Sequence, residues 1–213
     1  MAIITISGNT SGSISLSAPD ISGSNTLTLP LATDTLIGKA TTDTLTNKSI
    51  AATQLTGTIA AARLPAGSVL QVVNAQSGAV ATGTTIIPFD NTIPQITEGT
   101  EFLSLAITPK FSTSKLLIQV IWNGASTNPA NIIALFQDAT ANALAVSATS
   151  VPATGLVAIP LNYFMTAGTT SSTTFRLRYG CNNAATVTTN GAAGAAAFGG
   201  VYATSITITE IAA

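Results

Sequence analysis

The side-chain carboxylates within residues 68–213, groups able to act as acid or base, are Asp90, Glu98, Glu101, Asp138 and Glu210. Cleaving a glycosidic bond takes two carboxylates on either side of one bond, one as acid and the other as base or nucleophile. Here they stand singly with no evident pairing, and turn or surface roles account for each. Asp90-Asn91 and the nearby Glu98 offer oxygen ligands for calcium, but calcium loops alternate carboxylates densely, and an Asp-Asn pair suits a turn cap better. Cys181 is alone and histidine is absent. That leaves out an intrachain disulfide, a thiolate zinc site and every histidine-based nucleophile or proton relay. The sequence therefore points to no catalytic residue, no metal set and no cofactor, and the expected protein is not an enzyme.

Binding chemistry needs a different search. Exposed aromatic rings would stack on a glycan, and Trp122, Tyr163, Tyr179 and Tyr202 are the Trp and Tyr residues available. Each lies in a strand-like run with apolar partners at alternate positions, which fits a core residue better than a sugar contact. The run 190–200, NGAAGAAAFGG, has glycines enough to resemble a nucleotide loop but lacks a Lys-Ser/Thr ending and a strand-to-helix context. Close approach of chains or a pliable loop explains it better.

Charge is scarce. Only 7% of residues are charged, seven basic and eight acidic for a net charge of -1, against about 25% in an average soluble protein. No basic field attracts nucleic acid, and little net charge keeps copies apart. From Leu116 to Phe175 the only charged residue is Asp138. A monomeric domain scatters charge over its solvent-facing strand positions, so this stretch predicts surface buried between subunits. No apolar run approaches the roughly 18 residues of a spanning helix, and the amino terminus MAIITISGNTSG lacks a basic region and a long apolar core. Neither membrane insertion nor secretion is expected, and assembly in a cytoplasm is.

The elements that carry these residues are strands. Period-2 runs predict strands over Val69–Asn74, Thr84–Phe89, Glu101–Thr108, Lys115–Trp122, Ile132–Gln137, Leu144–Ala148, Gly155–Thr166, Thr173–Tyr179, Thr186–Thr188 and Tyr202–Ile211. Gly, Pro and Asn turns separate them, and the pattern describes an antiparallel β-sandwich or jelly roll over residues 68–213. Phe175, Leu177 and Tyr179 share one strand face and Arg176 and Arg178 the other. The run from Leu116 to Trp122 is apolar on both faces, as for a strand with the core on one side and a neighbouring subunit or second sheet on the other.

Residues 1–50 carry shorter signals, Ile14 and Leu16, then Leu27, Leu29 and Leu31, with a repeat of Thr33–Lys39 at Thr42–Lys48. Two copies bury no core unaided, and a segment so small, without disulfide or metal, orders itself by oligomerising. A β stalk or anchoring segment is therefore expected over 1–50. Residues 51–67 read as a linker or collar with a short helix ended by Pro65 and Gly67.

The passages IIPFDNTIPQITEGTEFLSLAITPK, ALFQDATANALAV, AGTTSSTTFRLRYG and FGGVYATSITITEIAA resemble a C-terminal domain of tail-fibre-like and other virion-surface proteins of tailed bacteriophages. The lead-in NTLTLPLATDTLIGKATTDTLTNKSI and LTGTIAAARLPAGSVLQVV is similar to phage fibre stalks. The resemblance spans about Asn25 to Ala213. It implies an all-β homotrimer, an intertwined β stalk followed by a β-sandwich, jelly-roll-like knob, on the virion surface. It implies partners among the major capsid or tail proteins and, for a fibre tip, a host surface glycan. It supplies no catalytic residues.

Overall fold

The computed structural model describes residues 3–7, 13–17, 49, 57 and 59–213. The chain forms two compact units, Met1–Thr56 and Gly57–Ala213. In the first, β1 (Ile3–Ser7) pairs antiparallel with β2 (Ser13–Ser17), Ile3 opposite Ser17 and Ser7 opposite Ser13. β2 is the expected Ile14/Leu16 strand, whereas β1 was not among the strands read from the sequence. The Leu27–Leu31 run and the repeat of residues 33–48 lie outside the described residues. Of the helix expected within 51–67, the described part is one 3-10 turn, Ala61–Arg63.

The second unit is an antiparallel β-sandwich with a jelly-roll-like arrangement of its sheets. One sheet has the order β5 (Thr100–Ile107), β10 (Thr173–Gly180), β7 (Ala130–Gln137) and β8 (Ala145–Ser150). The other runs β3 (Val69–Ser77), β14 (Thr204–Ile211), β6 (Lys115–Ser126), β11 (Val187–Thr189) and β4 (Ala81–Gly83). Gly124 of β6 pairs with Thr189 of β11 and also with Val157 of β9 (Val157–Thr166). Strand β9 therefore lies on one side of β6, while β14 and β11 follow each other along its opposite side.

Alternation along these strands builds the core. Leu116, Ile118, Val120 and Trp122 of β6 join Ile206 and Ile208 of β14 on one side, and Ile133, Leu135, Phe175 and Leu177 oppose them from the other sheet. Full burial of such side chains stabilises by about 1.5–3 kcal/mol each. Trp122 bridges the sheets: its ring stacks on Tyr179 at 6.1 Å and 26°, and its Nε1–H donates to Thr189 Oγ1 at 2.9 Å.

Where β14 stops and β11 begins, Asn123 has no strand partner on that side of β6. Buried side chains fill the gap. Asn123 N–H donates to Thr204 Oγ1 at 3.0 Å, and its carbonyl accepts from Asn190 N–H at 2.7 Å. The Thr204 hydroxyl donates to Asn190 Oδ1 at 2.8 Å, and Asn190 Nδ2 donates to the carbonyls of Ser77 (2.7 Å) and Ala79 (2.8 Å). Asn190 has φ 58, a left-handed conformation that asparagine tolerates better than other side chains.

A second buried polar group holds the crossing from β5 to β6. The Glu210 carboxylate accepts N–H groups of Lys110 (2.8 Å) and Phe111 (3.3 Å) and the amide of Gln71 (2.5 Å). Burial alone would raise its pKa, but the hydrogen bonds it accepts from Gln71 and from the Lys110 and Phe111 backbone outweigh it and hold the carboxyl below its ordinary value.

Thr84–Phe89 is not a strand. Pro88 has no N–H to place in a ladder, and of the pair Ile86-Ile87 only Ile87 is buried. Residues 84–99 instead form a flap over the outer face of β7, where Ile87 packs with Ile132, Ala134 and Phe136 and Ile96 joins from the side. The other expected strands appear with shifted ends. The alanine- and glycine-rich run makes a small hairpin of β12 (Gly191–Ala192) and β13 (Ala195–Ala196).

Replacing Asn190 with alanine leaves the Ser77 and Ala79 carbonyls without their donor, and we expect a loss of about 3 kcal/mol. Urea denaturation should show this as a lower midpoint at unchanged slope; a change of less than about 0.5 kcal/mol would show that the network is not needed. Because the Glu210 pKa is lower folded than unfolded, its contribution is complete above the ordinary value of 4.5 and is lost as pH falls through the folded pKa. Unfolding measured from pH 6 to about pH 3 should show that loss in the wild type and a flatter acid limb in Glu210→Gln.

Candidate functional site

The structure disperses the residues whose chemistry was considered first. Trp122 and Tyr179 lie within the sandwich, 0% and 1% exposed, and present no ring face to solvent. Tyr163 is half-buried against the core, and Tyr202, also half-buried, donates its hydroxyl to Val157 O at 2.8 Å. The four rings form no common surface platform. Asp90 Oδ1 accepts from the N–H (2.8 Å) and hydroxyl (2.6 Å) of Thr92 in a turn, which holds its pKa below the ordinary value. Glu98 Oε2 caps the next turn through Gln95 N–H at 2.9 Å. Asp138, at φ 51, accepts from Thr174 N–H (2.7 Å) and the Thr173 hydroxyl (2.9 Å). Among the described residues no group of three or more Asp, Glu, Cys or His side chains is placed to hold a metal ion.

The arginines of β10 fasten the flap. Arg178 Nε and Nη2 donate to the carbonyls of Glu98 and Gly99, each at 2.8 Å, a planar fork suited to two acceptors. Arg176 and Arg178 both reach Glu101, at 3.0 and 3.5 Å. Elsewhere the flap is held by Ile87 N–H to Cys181 O (3.0 Å), Gly99 N–H to Ile86 O (3.1 Å), Ile96 N–H to Ala141 O (2.8 Å) and Ala143 N–H to Pro94 O (2.9 Å). Gly180 lies beneath: a Cβ there would come 2.8 Å from Thr85 O, so glycine lets the flap cross this close to β10.

The flap carries Phe89 at its outer edge, 79% exposed. The ring is a shared wall between two clefts floored by Ile132 and Ala148. The larger, about 340 Å³, continues past Ala130 to Thr149, Ser150 and Asn182. The smaller, about 230 Å³, is bounded by Val146 and by the Asp90–Thr92 turn. Phe89 is not among the Trp and Tyr residues named from the sequence as stacking groups. Its local signal was legible: an aromatic between Pro88 and Asp90-Asn91 sits at a turn, where the alternation from Ile87 does not continue past Asn91.

The outer face of the six-stranded sheet is the second surface of interest. Its register sets Val72, Thr209, Leu117 and Phe164 in one row, and Asn74, Thr207, Gln119 and Asn162 in the next. A third row holds Gln76, Ser205, Ile121 and Pro160. These three rows contain no ionisable side chain. Val72 and Phe164 are 56% and 57% exposed, while Asn74 Nδ2 donates to Thr207 Oγ1 at 2.8 Å along the middle row.

Arg178→Lys, which keeps the charge and loses the fork, should release the end of the flap. Amide hydrogen exchange at Gly99 should rise about tenfold or more while exchange in β6 stays unchanged; unchanged protection at Gly99 would assign the clamp elsewhere.

No protein-family model matches the chain, and no curated protein matches it. Among solved structures it is similar to the Eiger TNF of S. frugiperda, with 10% identity and a TM-score of 0.42 over 66% of this chain and 93% of that one. It is also similar to the VP2 subviral particle of infectious bursal disease virus, with 12% identity and a TM-score of 0.30 over 68% of this chain and 38% of that one. Scores this low establish neither a fold family nor a function.

Proposed function

We propose that this chain is a non-enzymatic structural protein of a tailed-phage virion. It acts as a homotrimer on the virion surface, as a capsid-decorating or cement protein or as a short head fibre. The observation that carries this reading is the outer face of the six-stranded sheet, three rows without an ionisable side chain and with Val72 and Phe164 open to solvent. Apolar area of this kind gains about 25 cal/mol per Å² when a partner covers it, and uncharged amides and hydroxyls are cheaper to desolvate than charges. A surface built for solvent would carry Lys and Glu at these positions. The resemblance of the sequence to phage fibre-like heads supplies the virion setting, with the major capsid or tail proteins as partners.

One feature favours a second reading, a tail-fibre or spike tip that binds a host-surface receptor: the exposed Phe89 ring between two clefts. Mass spectrometry of purified capsids that lack tails separates the two. The capsid reading expects the protein in stoichiometric amounts on those particles. Its absence there, with recovery in the tail fraction, would overturn that reading in favour of the tip.

A further inference from the structure

We propose that the larger cleft beside Phe89 is a saccharide site that takes a neutral pyranose, with the Phe89 ring as its stacking wall. The chemistry of the lining selects this ligand. Ile132, Ala148 and Phe89 give an apolar floor and wall, the complement of the C–H face of a sugar ring, while Ser150, on the same strand face as Ala148, and Asn182 add a hydroxyl and an amide to the lining. A purely apolar occupant would strip water from those polar groups without replacing their hydrogen bonds, at about 1–3 kcal/mol each. No lining residue is ionisable, so the cleft offers nothing to a phosphate, a sulfate or an acidic sugar. Its volume of about 340 Å³ lies at the small end of the roughly 300–1,000 Å³ of small-molecule sites, which fits one or two sugar units.

The backbone that carries the ring is held on both sides before any ligand arrives. Ile87, two residues before it, is fully buried; the Asp90–Thr92 turn follows it directly; and the Arg178 fork closes the far end of the flap. With the backbone held, only the side-chain torsions of Phe89 remain to be ordered on binding. The smaller cleft on the other side of the ring extends the site. There Asp90 Oδ1 is engaged by Thr92, and Oδ2, with no partner among the described residues, is an acceptor for the hydroxyls of an adjoining sugar. The site does not depend on where on the virion the chain sits, so its test and the capsid test fail separately.

Saturation-transfer NMR on the full chain with D-glucose, D-galactose, N-acetyl-D-glucosamine, L-rhamnose and lactose is the direct test. At least one sugar should receive saturation at its ring C–H protons, with a dissociation constant in the millimolar range. Phe89→Ala should weaken that binding about tenfold or more, Phe89→Trp should retain it, and Asn182→Ala should weaken it several-fold. Because Phe89 is exposed, the amide spectrum of Phe89→Ala serves as the control for folding. No transfer to any of the five sugars overturns the proposal. So does wild-type binding by a folded Phe89→Ala. A Phe89→Ala chain whose oligomeric state changes while no sugar binds the wild type assigns the ring to a contact between copies instead.

Discussion

A β-strand has two faces, and β6 and β7, one in each sheet, carry large apolar side chains on both, so each needs a cover beyond the sandwich core. For β7 the chain provides one. Ile133 and Leu135 point into the core, and Ile132, Ala134 and Phe136 point outward beneath Ile87 and Ile96 of the flap. For β6 no described residue does so. Leu116, Ile118, Val120 and Trp122 fill the core, while Leu117 and Ile121 stand with Val72 and Phe164 on an outer face that the unit leaves open. This difference between the two sheets organises both functional proposals. The covered face produces the Phe89 clefts as a by-product of its flap, and the open face is the proposed association surface.

The polar interior serves the same architecture. A sandwich with one long strand, β6, flanked by two shorter ones end to end has a break in its ladder, and the buried groups of Asn123, Asn190 and Thr204 close it. Glu210 does the equivalent at the opposite end of β14, where the chain crosses between sheets. Both sites use side chains to satisfy backbone groups that regular pairing leaves over, as buried polar groups require. Several of the few charges among the described residues serve such tasks. Asp138 caps β10, Glu98 caps a turn, and Arg178 ties the flap down.

Much of the strand pattern was legible because alternation alone locates a half-buried strand. Phe175, Leu177 and Tyr179 fall inward, with Arg176 and Arg178 outward, as their spacing predicts. The flap was not legible as a flap. Thr84–Phe89 has β-branched residues in a short run, and only the missing N–H of Pro88 argues against a strand. The polar knot was invisible because Asn123, Asn190 and Thr204 are far apart in sequence and ordinary in type. The stacking groups follow the same rule: Trp122 and Tyr179 sit within long strands whose alternate residues are buried, whereas the alternation from Ile87 to Phe89 stops at Asn91 and leaves the ring exposed.

The central claim is that the three uncharged rows on the outer face around β6 are buried between copies of the chain. Sedimentation equilibrium of the full chain, wild type and Phe164→Glu, tests it most directly. The account predicts a wild-type mass three times that of one chain and a variant that falls to the mass of a single folded chain. A wild type that sediments as one chain at micromolar concentration, or a trimer indifferent to a charge at position 164, would contradict it.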